Sequence, residues 1–343
     1  MRCPKCNGKW KLPPNIKNTD ISCPFCGIQM TTVTNKQGLC VVQEKVYNNP
    51  IIPDDIGNYE TFIDIERLET SHIEFGKIID SSAYEEEFGS VENDSLLMLK
   101  CPPGSFLMGS NNNELGRQTD ETSHNVEFSS DFYIGKFPIT QFQYYAIMGI
   151  NPSKFHGNDN PVECVSWFDA IEFCNKLNAK TDGLRPRGFL FALPTEAQWE
   201  YACRATMKTS LNCGYDITSE KGCCPNLDRF GWYNDNSKDK THPVGEKRAN
   251  FWGIHDMHGN VWEWCSDWYE PFDEDIKDLN LVNPVGPEIG NYKVCRGGCW
   301  SIPPRFCRSA IRFRVSPDAK YETLGFRVAM VRAENKSEDE ELV

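Results

Sequence analysis

The sequence lacks any long apolar run. No stretch of its 343 residues approaches the length that a membrane-spanning helix needs, and the N-terminal MRCPKCNGKWK has no apolar core of the kind found in secretory signals. These absences argue against a membrane protein and against a secreted one. We therefore expect a cytoplasmic protein with no membrane partner.

Positive charge is also scarce, since 36 Lys and Arg face 49 Asp and Glu, which gives a net charge of −13. This deficit argues against nucleic acid as a partner. The charge is uneven, because residues 1–30 are basic whereas residues 54–95 are strongly acidic. We predict an acidic linker at residues 31–95, which either packs along the main domain or recruits a protein partner. The acidic tail at 334–343 has no apolar face and is expected to be disordered.

Cysteine, in contrast, is abundant, with 16 residues. Two C-x2-C pairs near the N-terminus have the spacing at which four thiolates can hold one tetrahedral Zn²⁺. The four residues are Cys3, Cys6, Cys23 and Cys26. Because four thiolates leave no open position for water, we predict a structural zinc ribbon at residues 1–30 rather than a catalytic zinc. Cys213, Cys223 and Cys224 lack such spacing and offer only weak evidence of a second metal site.

Three helix starts can be identified from capping residues, whose side chains can accept hydrogen bonds from free backbone N–H groups. They are Thr140 with Gln143, Ser166 with Asp169, and Thr195 with Gln198, and the two Thr–Gln pairs match a capping box. Apolar positions follow two of these caps at helical spacing, which assigns them to the core. These positions are Ile171, Cys174 and Leu177, and Trp199, Ala202 and Cys203.

Seven sequence strings occur in an order that resembles the formylglycine-generating enzyme and sulfatase-modifying factor family. They are GSFLMGS (104–110), FYIGKFPIT (132–140), PVECVSWFDAIEFCNKLN (161–178), ALPTEAQWEYACRA (192–205), GNVWEWCSDWY (259–269), CRGGCWSIPPRFCRSAIR (295–312) and LGFRV (324–328). The resemblance implies an α+β, C-type lectin-like domain with few helices, short strands and long loops, which we place at residues 96–333.

The family's oxidases hold copper(I) with two active cysteines just before the CRSA-like string, and thiolates suit that soft ion. Here the corresponding segment reads SIPPRF, with Ile302 at the position of the nearer cysteine. The related iron-dependent sulfoxide synthases carry a histidine-rich domain, which a chain with six histidines does not resemble. The resemblance also implies that Cys203 and Cys307 are neighbours, and we expect them to remain thiols in a reducing cytoplasm.

The string DMHGNVWE matches a calcium site of the family. Asp256 and Glu263 would supply carboxylate oxygens, while Gly259 and Val261 would supply backbone carbonyls, and such hard ligands favour Ca²⁺. The alternative is that Asp256 and Glu263 accept backbone hydrogen bonds within a tight turn. The resemblance implies that the family's other calcium site is absent, because Phe230 stands where a ligand asparagine is expected.

The strings RGG-x-W, CRSA-x-R, PD and GFR also resemble the variable region of lectin-fold proteins that are diversified by retroelements. The variable positions would all be reachable by changing adenines in Asn codons that end in C, and we predict that they form a ligand-binding surface. Trp300 and Arg308 would belong to the scaffold. The variable positions would be Ser301, Ile302, Arg305, Phe306, Ile311, Phe313, Arg314, Val315, Ser316, Tyr321 and Thr323. A lectin-fold protein with a fixed ligand is the open alternative.

These observations favour a non-catalytic protein that binds a protein or a small molecule through its C-terminal surface, with structural Zn²⁺ and a Ca²⁺ ion. The alternative function is a divergent oxidase that acts on a cysteine-containing peptide. Its reactive thiol would be Cys295, Cys299 or Cys307.

Overall fold

The structure is a computed structural model that describes residues 95–272, 276 and 279–333, together with strands at 20–22, 29–34, 40–44 and 70–74. The chain divides into two compact units, Met1–Glu60 and Thr61–Val343. The predicted tail lies outside the described residues, as does most of the predicted linker. In the described part of the chain, no helix has the length and apolar character required to span a bilayer.

The first unit contains a three-stranded antiparallel sheet of order β1-β2-β3. Its strands are β1 (Asp20–Ser22), β2 (Gln29–Thr34) and β3 (Cys40–Glu44). Ser22 pairs with Gln29, so the second C-x2-C pair falls in the chain segment that joins two paired strands. The predicted zinc ligands Cys3, Cys6, Cys23 and Cys26 lie outside the described residues.

The second unit contains a five-stranded sheet of order β4-β5-β8-β17-β9, all antiparallel. Its strands are β4 (Thr70–Glu74), β5 (Ser95–Cys101), β8 (Phe132–Gly135), β9 (Phe189–Ala192) and β17 (Ala329–Arg332). Residues 70–74, which the charge pattern assigns to the linker, form an edge strand of this sheet. The C-terminal strand β17 is interior, with Ala329 opposite both Ile134 and Ala192.

Three smaller sheets complete the second unit, with orders β13-β7-β6, β15-β14-β12-β16 and β10-β11. Their strands are β6 (Gly104–Met108), β7 (His124–Phe128), β10 (Gly231–Trp232), β11 (His258–Gly259), β12 (Trp262–Trp268), β13 (Asn280–Val282), β14 (Lys293–Arg296), β15 (Phe313–Val315) and β16 (Leu324–Gly325). The four-stranded sheet positions the predicted binding segment, because β14 leads into that segment and β16 follows it.

The described residues contain three α-helices, α1 (Gln141–Met148), α2 (Trp167–Lys180) and α3 (Glu196–Arg204). All three predicted caps are confirmed, and the third pair, Ser166 with Asp169, also forms a complete capping box. Cys174, Leu177, Trp199, Ala202 and Cys203 are buried as predicted, while Ile171 packs at the edge of the core. Few helices with short strands and long loops give the predicted α+β, C-type lectin-like fold.

Candidate binding surface

The predicted binding segment begins at a two-glycine turn directly after β14. Gly297 and Gly298 both have left-handed backbone conformations, with φ of +98° and +82°. A Cβ atom on Gly298 would lie 2.6 Å from the carbonyl oxygen of Phe306, a distance that no side chain tolerates. The close approach brings the end of the following 3-10 turn, Pro304–Phe306, against the two-glycine turn.

Buried arginines hold the segment in place. The Arg308 side chain is inaccessible to solvent and donates to both carboxylate oxygens of Glu121, with Nη2–Oε1 and Nη1–Oε2 distances of 2.6 and 2.8 Å. It also pairs with Glu114 at 2.6 Å. Arg312 makes a second bidentate pair, in which Nε and Nη2 donate to Glu196 at 2.7 and 2.8 Å. The predicted scaffold role of Arg308 fits this burial.

Arg296 and Trp300 complete this scaffold. Arg296 is fully buried, pairs with Glu200, and donates through Nη1 to the carbonyl oxygens of Ala310 and Ile311 at 3.0 and 2.6 Å. Trp300 is 8% exposed, and its indole N–H donates to the carbonyl oxygen of Glu322 at 3.0 Å. Side chains from the end of β14 and from the start of the segment therefore fix the backbone of the segment's later parts.

Several predicted surface residues are exposed on this scaffold. Phe313 and Tyr321 have exposed fractions of 46% and 55%, and the Phe313 ring stacks on Trp262 with centroids 5.0 Å apart. The Arg314 guanidinium lies 4.8 Å from the centre of the Tyr269 ring. We call the five exposed members the displayed residues: Ser301, Phe313, Arg314, Ser316 and Tyr321. The partly exposed members are Ile302, Arg305, Phe306 and Thr323.

Two predicted surface residues are buried instead. Ile311 is 1% exposed and Val315 is 7% exposed, and both belong to the main apolar core. The expectation of a displayed side chain is wrong for both, because Ile311 lies between two buried residues and Val315 faces inward from β15. Sequence type alone could not separate these positions from their exposed neighbours.

The predicted calcium turn is tightly folded, with left-handed φ at Asp256, Gly259 and Asn260. Oδ2 of Asp256 accepts from the backbone N–H of Gly245 at 2.7 Å, while its buried Oδ1 has no hydrogen-bond partner. Burial raises the pKa of Asp256 from its ordinary value to about 6. A free, buried carboxylate oxygen is suited to a hard cation.

Glu263 does not offer a comparable free oxygen. Its carboxylate accepts from Arg327 Nε at 2.6 Å, Arg327 Nη2 at 2.8 Å and Trp199 Nε1 at 2.6 Å. Across the described ranges, no three His, Cys, Asp or Glu side chains are grouped so that they could hold a metal ion. The donor set thus fits calcium only in part, with Asp256 available and Glu263 engaged, and the calcium site at Asp256, Gly259, Val261 and Glu263 stays a prediction.

Comparison with known proteins decides the family. The family model of the sulfatase-modifying factor enzyme 1-like domain matches residues 85–332. The chain belongs to this family.

Individual members show how far the likeness extends. The chaperone protein LppX of Paenibacillus barcinonensis is 33% identical over 216 residues, which cover 50% of this chain and 70% of LppX. The formylglycine-generating enzyme of Mus musculus is 27% identical over 276 residues, and this chain spans 65% of its length. Among solved structures, Treponema denticola variable protein 1 superposes with a TM-score of 0.61 and 29% identity, covering 70% of this chain and 96% of that one.

Within this sulfatase-modifying-factor domain, the thiols near the segment are all buried and free. Cys203, Cys295, Cys299 and Cys307 are at most 1% exposed, and none forms a disulfide bond. Burial raises the pKa of Cys203 to about 12 and that of Cys295 and Cys307 well above the usual range. Ile302, at the expected position of an active cysteine, packs against the apolar core. These thiols are poorly placed to form the accessible thiolates that copper(I) or a substrate would require.

The structure also brings together residues that the sequence did not single out. Arg117 lies in the loop at 112–119 and lines an open pocket together with Arg305 and Glu220. No local motif marks Arg117, because its neighbours in space come from segments far along the chain. Only the high density of Asn and Gly in this loop could have indicated a long surface connection.

Proposed function

We propose that this protein is a non-catalytic binding protein that recognises a protein or small molecule through its displayed residues. The main support for this proposal is that the Phe313 and Tyr321 rings are exposed in a segment that buried arginine–carboxylate pairs hold fixed. Aromatic and arginine side chains on a pre-organised backbone supply the contact area found in binding hot spots. The buried thiols nearby support binding rather than oxidation.

Selection from a random peptide library tests this proposal. Peptides enriched on the wild-type chain should bind the double variant Phe313→Ser/Tyr321→Ser about 10-fold or more weakly, because most of the exposed aromatic area is removed. Phe168→Ser is the matched control, since Phe168 is also 51% exposed but lies on α2, outside the segment. Equal binding of the selected peptides to all three proteins would refute the proposal.

Diversification of the displayed residues by a retroelement is a further part of the proposal. It is supported by the similarity to a variable protein of Treponema denticola and by the Asn-codon pattern of these positions. The test is genomic. We expect a near-copy of the 3′ coding segment that differs mainly at adenines beside a reverse transcriptase gene. A fixed segment in many isolates of the source organism would favour the lectin-fold protein with a fixed ligand.

A divergent oxidase is the second candidate, supported by the similarity to the mouse formylglycine-generating enzyme. Cys299 is the thiol to examine, because its Sγ lies 3.3 Å from Oγ of Ser301, an exposed residue. Copper-dependent oxygen consumption with a cysteine-containing peptide, lost in Cys299→Ser but kept in Cys223→Ser, would select the enzyme. We expect no such consumption.

We also propose that the first unit holds one structural Zn²⁺ through Cys3, Cys6, Cys23 and Cys26, in a cytoplasmic protein. The paired strands β1 and β2, which flank the second C-x2-C pair, support this proposal. Elemental analysis should find one zinc per chain. Cys26→Ser should lose the zinc, whereas Cys223→Ser, at the exposed cysteine of the other cysteine-rich loop, should keep it.

A further inference from the structure

An open pocket is lined in part by Arg305, a partly exposed residue of the predicted binding segment, and has no assigned role. Its volume is about 460 Å³, within the range of small-ligand sites. One wall is the loop at 112–119, and the other is formed by Glu220 and Arg305. Arg305 is one of the predicted variable residues, so the pocket joins that segment to a loop that the sequence did not mark.

The loop is held in position by the buried scaffold. Arg308 donates through Nη2 to the carbonyl oxygen of Gly116 at 2.7 Å and through Nη1 to Glu114 at 2.6 Å. Gly116 has a left-handed φ of +79°, and a Cβ atom there would lie 2.8 Å from Cβ of Arg305. Loop and segment therefore approach as closely as a glycine allows, and the pocket exists before any ligand arrives.

Two guanidinium groups line this pocket without strong partners. The Arg117 side chain makes no ion pair or hydrogen bond with any described residue, and its buried Nε is unpaired. The buried Nε of Arg305 is also unpaired, and its Nη1 is 3.9 Å from Glu220. The Arg305 guanidinium is oriented by stacking on Phe306, with 4.6 Å to the ring centre.

The lining carries two arginines and two glutamates, so its formal charges balance. Glu114 pairs at 2.6 Å with Arg308, which it shares with Glu121, so its carboxylate engages this buried group instead of the pocket arginines. The 3.9 Å contact of Glu220 with the other pocket arginine leaves Arg117 as the cation without an ion-pair partner among the described residues. The two carboxylates would repel a highly charged polyanion, so the lining favours a monoanion.

We propose that this pocket binds the carboxylate of a monoanionic ligand, such as an acidic side chain or the C-terminus of a bound peptide. The planar fork of a guanidinium matches a carboxylate with two parallel hydrogen bonds, and Arg117 and Arg305 would provide these donors. This inference rests on the proposed binding function, because it names the chemistry of part of the ligand. Asn112, Asn113 and Gln118 supply neutral polar groups around the anion.

The test uses the full chain, labelled with ¹⁵N, and three small probes: N-acetylglycine, its neutral amide N-acetylglycinamide, and inorganic phosphate. We expect N-acetylglycine to shift the backbone amide signals of residues 112–119 in a saturable way, with a dissociation constant in the millimolar range, roughly 1–10 mM for so small a ligand. N-acetylglycinamide should bind at least about 10-fold more weakly, because it lacks the charge.

Variants of the lining residues test whether N-acetylglycine binds in this pocket. Arg117→Ala and Arg305→Ala should each weaken binding of N-acetylglycine by about 10-fold, and Arg117→Lys by less, because the charge stays while the fork is lost. Glu220→Gln should strengthen binding, since it removes the opposing carboxylate. Arg187→Ala is the matched control at an exposed arginine outside the pocket and should bind like the wild type. Unchanged melting temperatures confirm that the variants are folded.

Equal binding of N-acetylglycine and its amide would overturn the inference, and so would equal binding of N-acetylglycine by Arg117→Ala and Arg187→Ala. Tighter binding of phosphate than of N-acetylglycine would also overturn it and assign the pocket to phosphate groups. Its failure is distinguishable from failure of the binding function. Peptides that depend on Phe313 and Tyr321 but not on Arg117 would leave the binding function intact and remove only the carboxylate site.

Discussion

Buried and displayed residues differ sharply although they alternate along the same short segment. Arg312 is 6% exposed and forms a bidentate pair with Glu196, while the next residue, Phe313, is 46% exposed. Arg308 is inaccessible, whereas Arg314 is exposed and lies over the face of the Tyr269 ring. Residue type therefore does not decide which side chains stabilise the fold here, because buried arginines hold the segment while aromatic residues face solvent.

The two classes of residue differ in the environment that remains when the side chain is truncated. Removing one partner of a buried ion pair leaves an uncompensated charge in a medium of low dielectric constant, which is costly. Removing an exposed side chain leaves only solvent-filled space. Stability measurements on pairs of variants, one buried and one exposed, therefore test this difference.

The largest effect is expected for Arg308→Ala, which should lower the free energy of unfolding by about 3–5 kcal/mol. The substitution leaves two carboxylates without their cation, the fully buried Glu121 and the nearly buried Glu114. It also removes the hydrogen bond to the carbonyl oxygen of Gly116. Urea denaturation measures the change. Arg314→Ala is the control and should stay within about 0.5 kcal/mol of the wild type. Similar losses in the two variants would contradict the division into scaffold and display.

The next effect is expected for Ile311→Ala, at about 2–4 kcal/mol, because the truncation leaves a cavity in the main core. Phe313→Ala removes a larger side chain but should cost only about 1 kcal/mol, chiefly through loss of its stacking on Trp262. The same denaturation experiment compares them. A greater loss for Phe313→Ala would show that its ring belongs to the core.

A smaller effect concerns Asp256, whose pKa is raised by burial to about 6 from an ordinary value of 3.8. The folded state holds this proton more tightly than the unfolded state, so its stabilising contribution is present below about pH 4 and is lost as the pH rises through 6. In chelator, the wild type should therefore lose about 1–3 kcal/mol relative to Asp256→Asn between pH 4 and 7.

Adding calcium to the same experiment tests whether Asp256 is a metal ligand. If Ca²⁺ binds the free oxygen of Asp256, adding it at pH 7 should raise the melting temperature of the wild type but not that of Asp256→Asn. Glu263→Ala is a poor probe, because the substitution also leaves Arg327 buried without its carboxylate. An identical response of wild type and Asp256→Asn to calcium would remove Asp256 from the predicted site.

The smallest effect is expected for Tyr321→Ser, within about 0.5 kcal/mol of the wild type, because the side chain is 55% exposed. Its backbone carbonyl, which accepts from the N–H of Cys164 at 3.0 Å, is unaffected by the substitution. Thermal unfolding provides the measurement. A clear loss of stability would mean that the tyrosine ring, and not only its backbone, fixes the segment.

Local patterns predicted well what local physics determines. The caps at Thr140, Ser166 and Thr195 depend on residues three positions apart, and all three are present. Ordered motifs likewise predicted the fold. The burial of Ile311 could not be predicted, because it depends on how the turn before β15 packs against core residues that are distant in the sequence.

The pocket could not be predicted from the sequence for the same reason. Arg117 and Arg305 are brought together by Arg308, and no spacing rule connects the loop at 112–119 with the segment that contains Arg305. The resemblance predicted the segment in which the proposed binding surface lies. The division of that segment into core, displayed and pocket positions depends on tertiary packing, which no local pattern encodes.

The interior position of β17 has a consequence for how the chain tolerates being cut. The displayed residues lie between β14, which pairs on both sides within its sheet, and β17, which lies between β8 and β9. Both ends of the segment are thus anchored by hydrogen bonds independently of the peptide bonds between them. A protease that nicks the backbone near Tyr321 should yield two fragments that remain associated, whereas a chain that stops before Ala329 would leave a gap inside the five-stranded sheet.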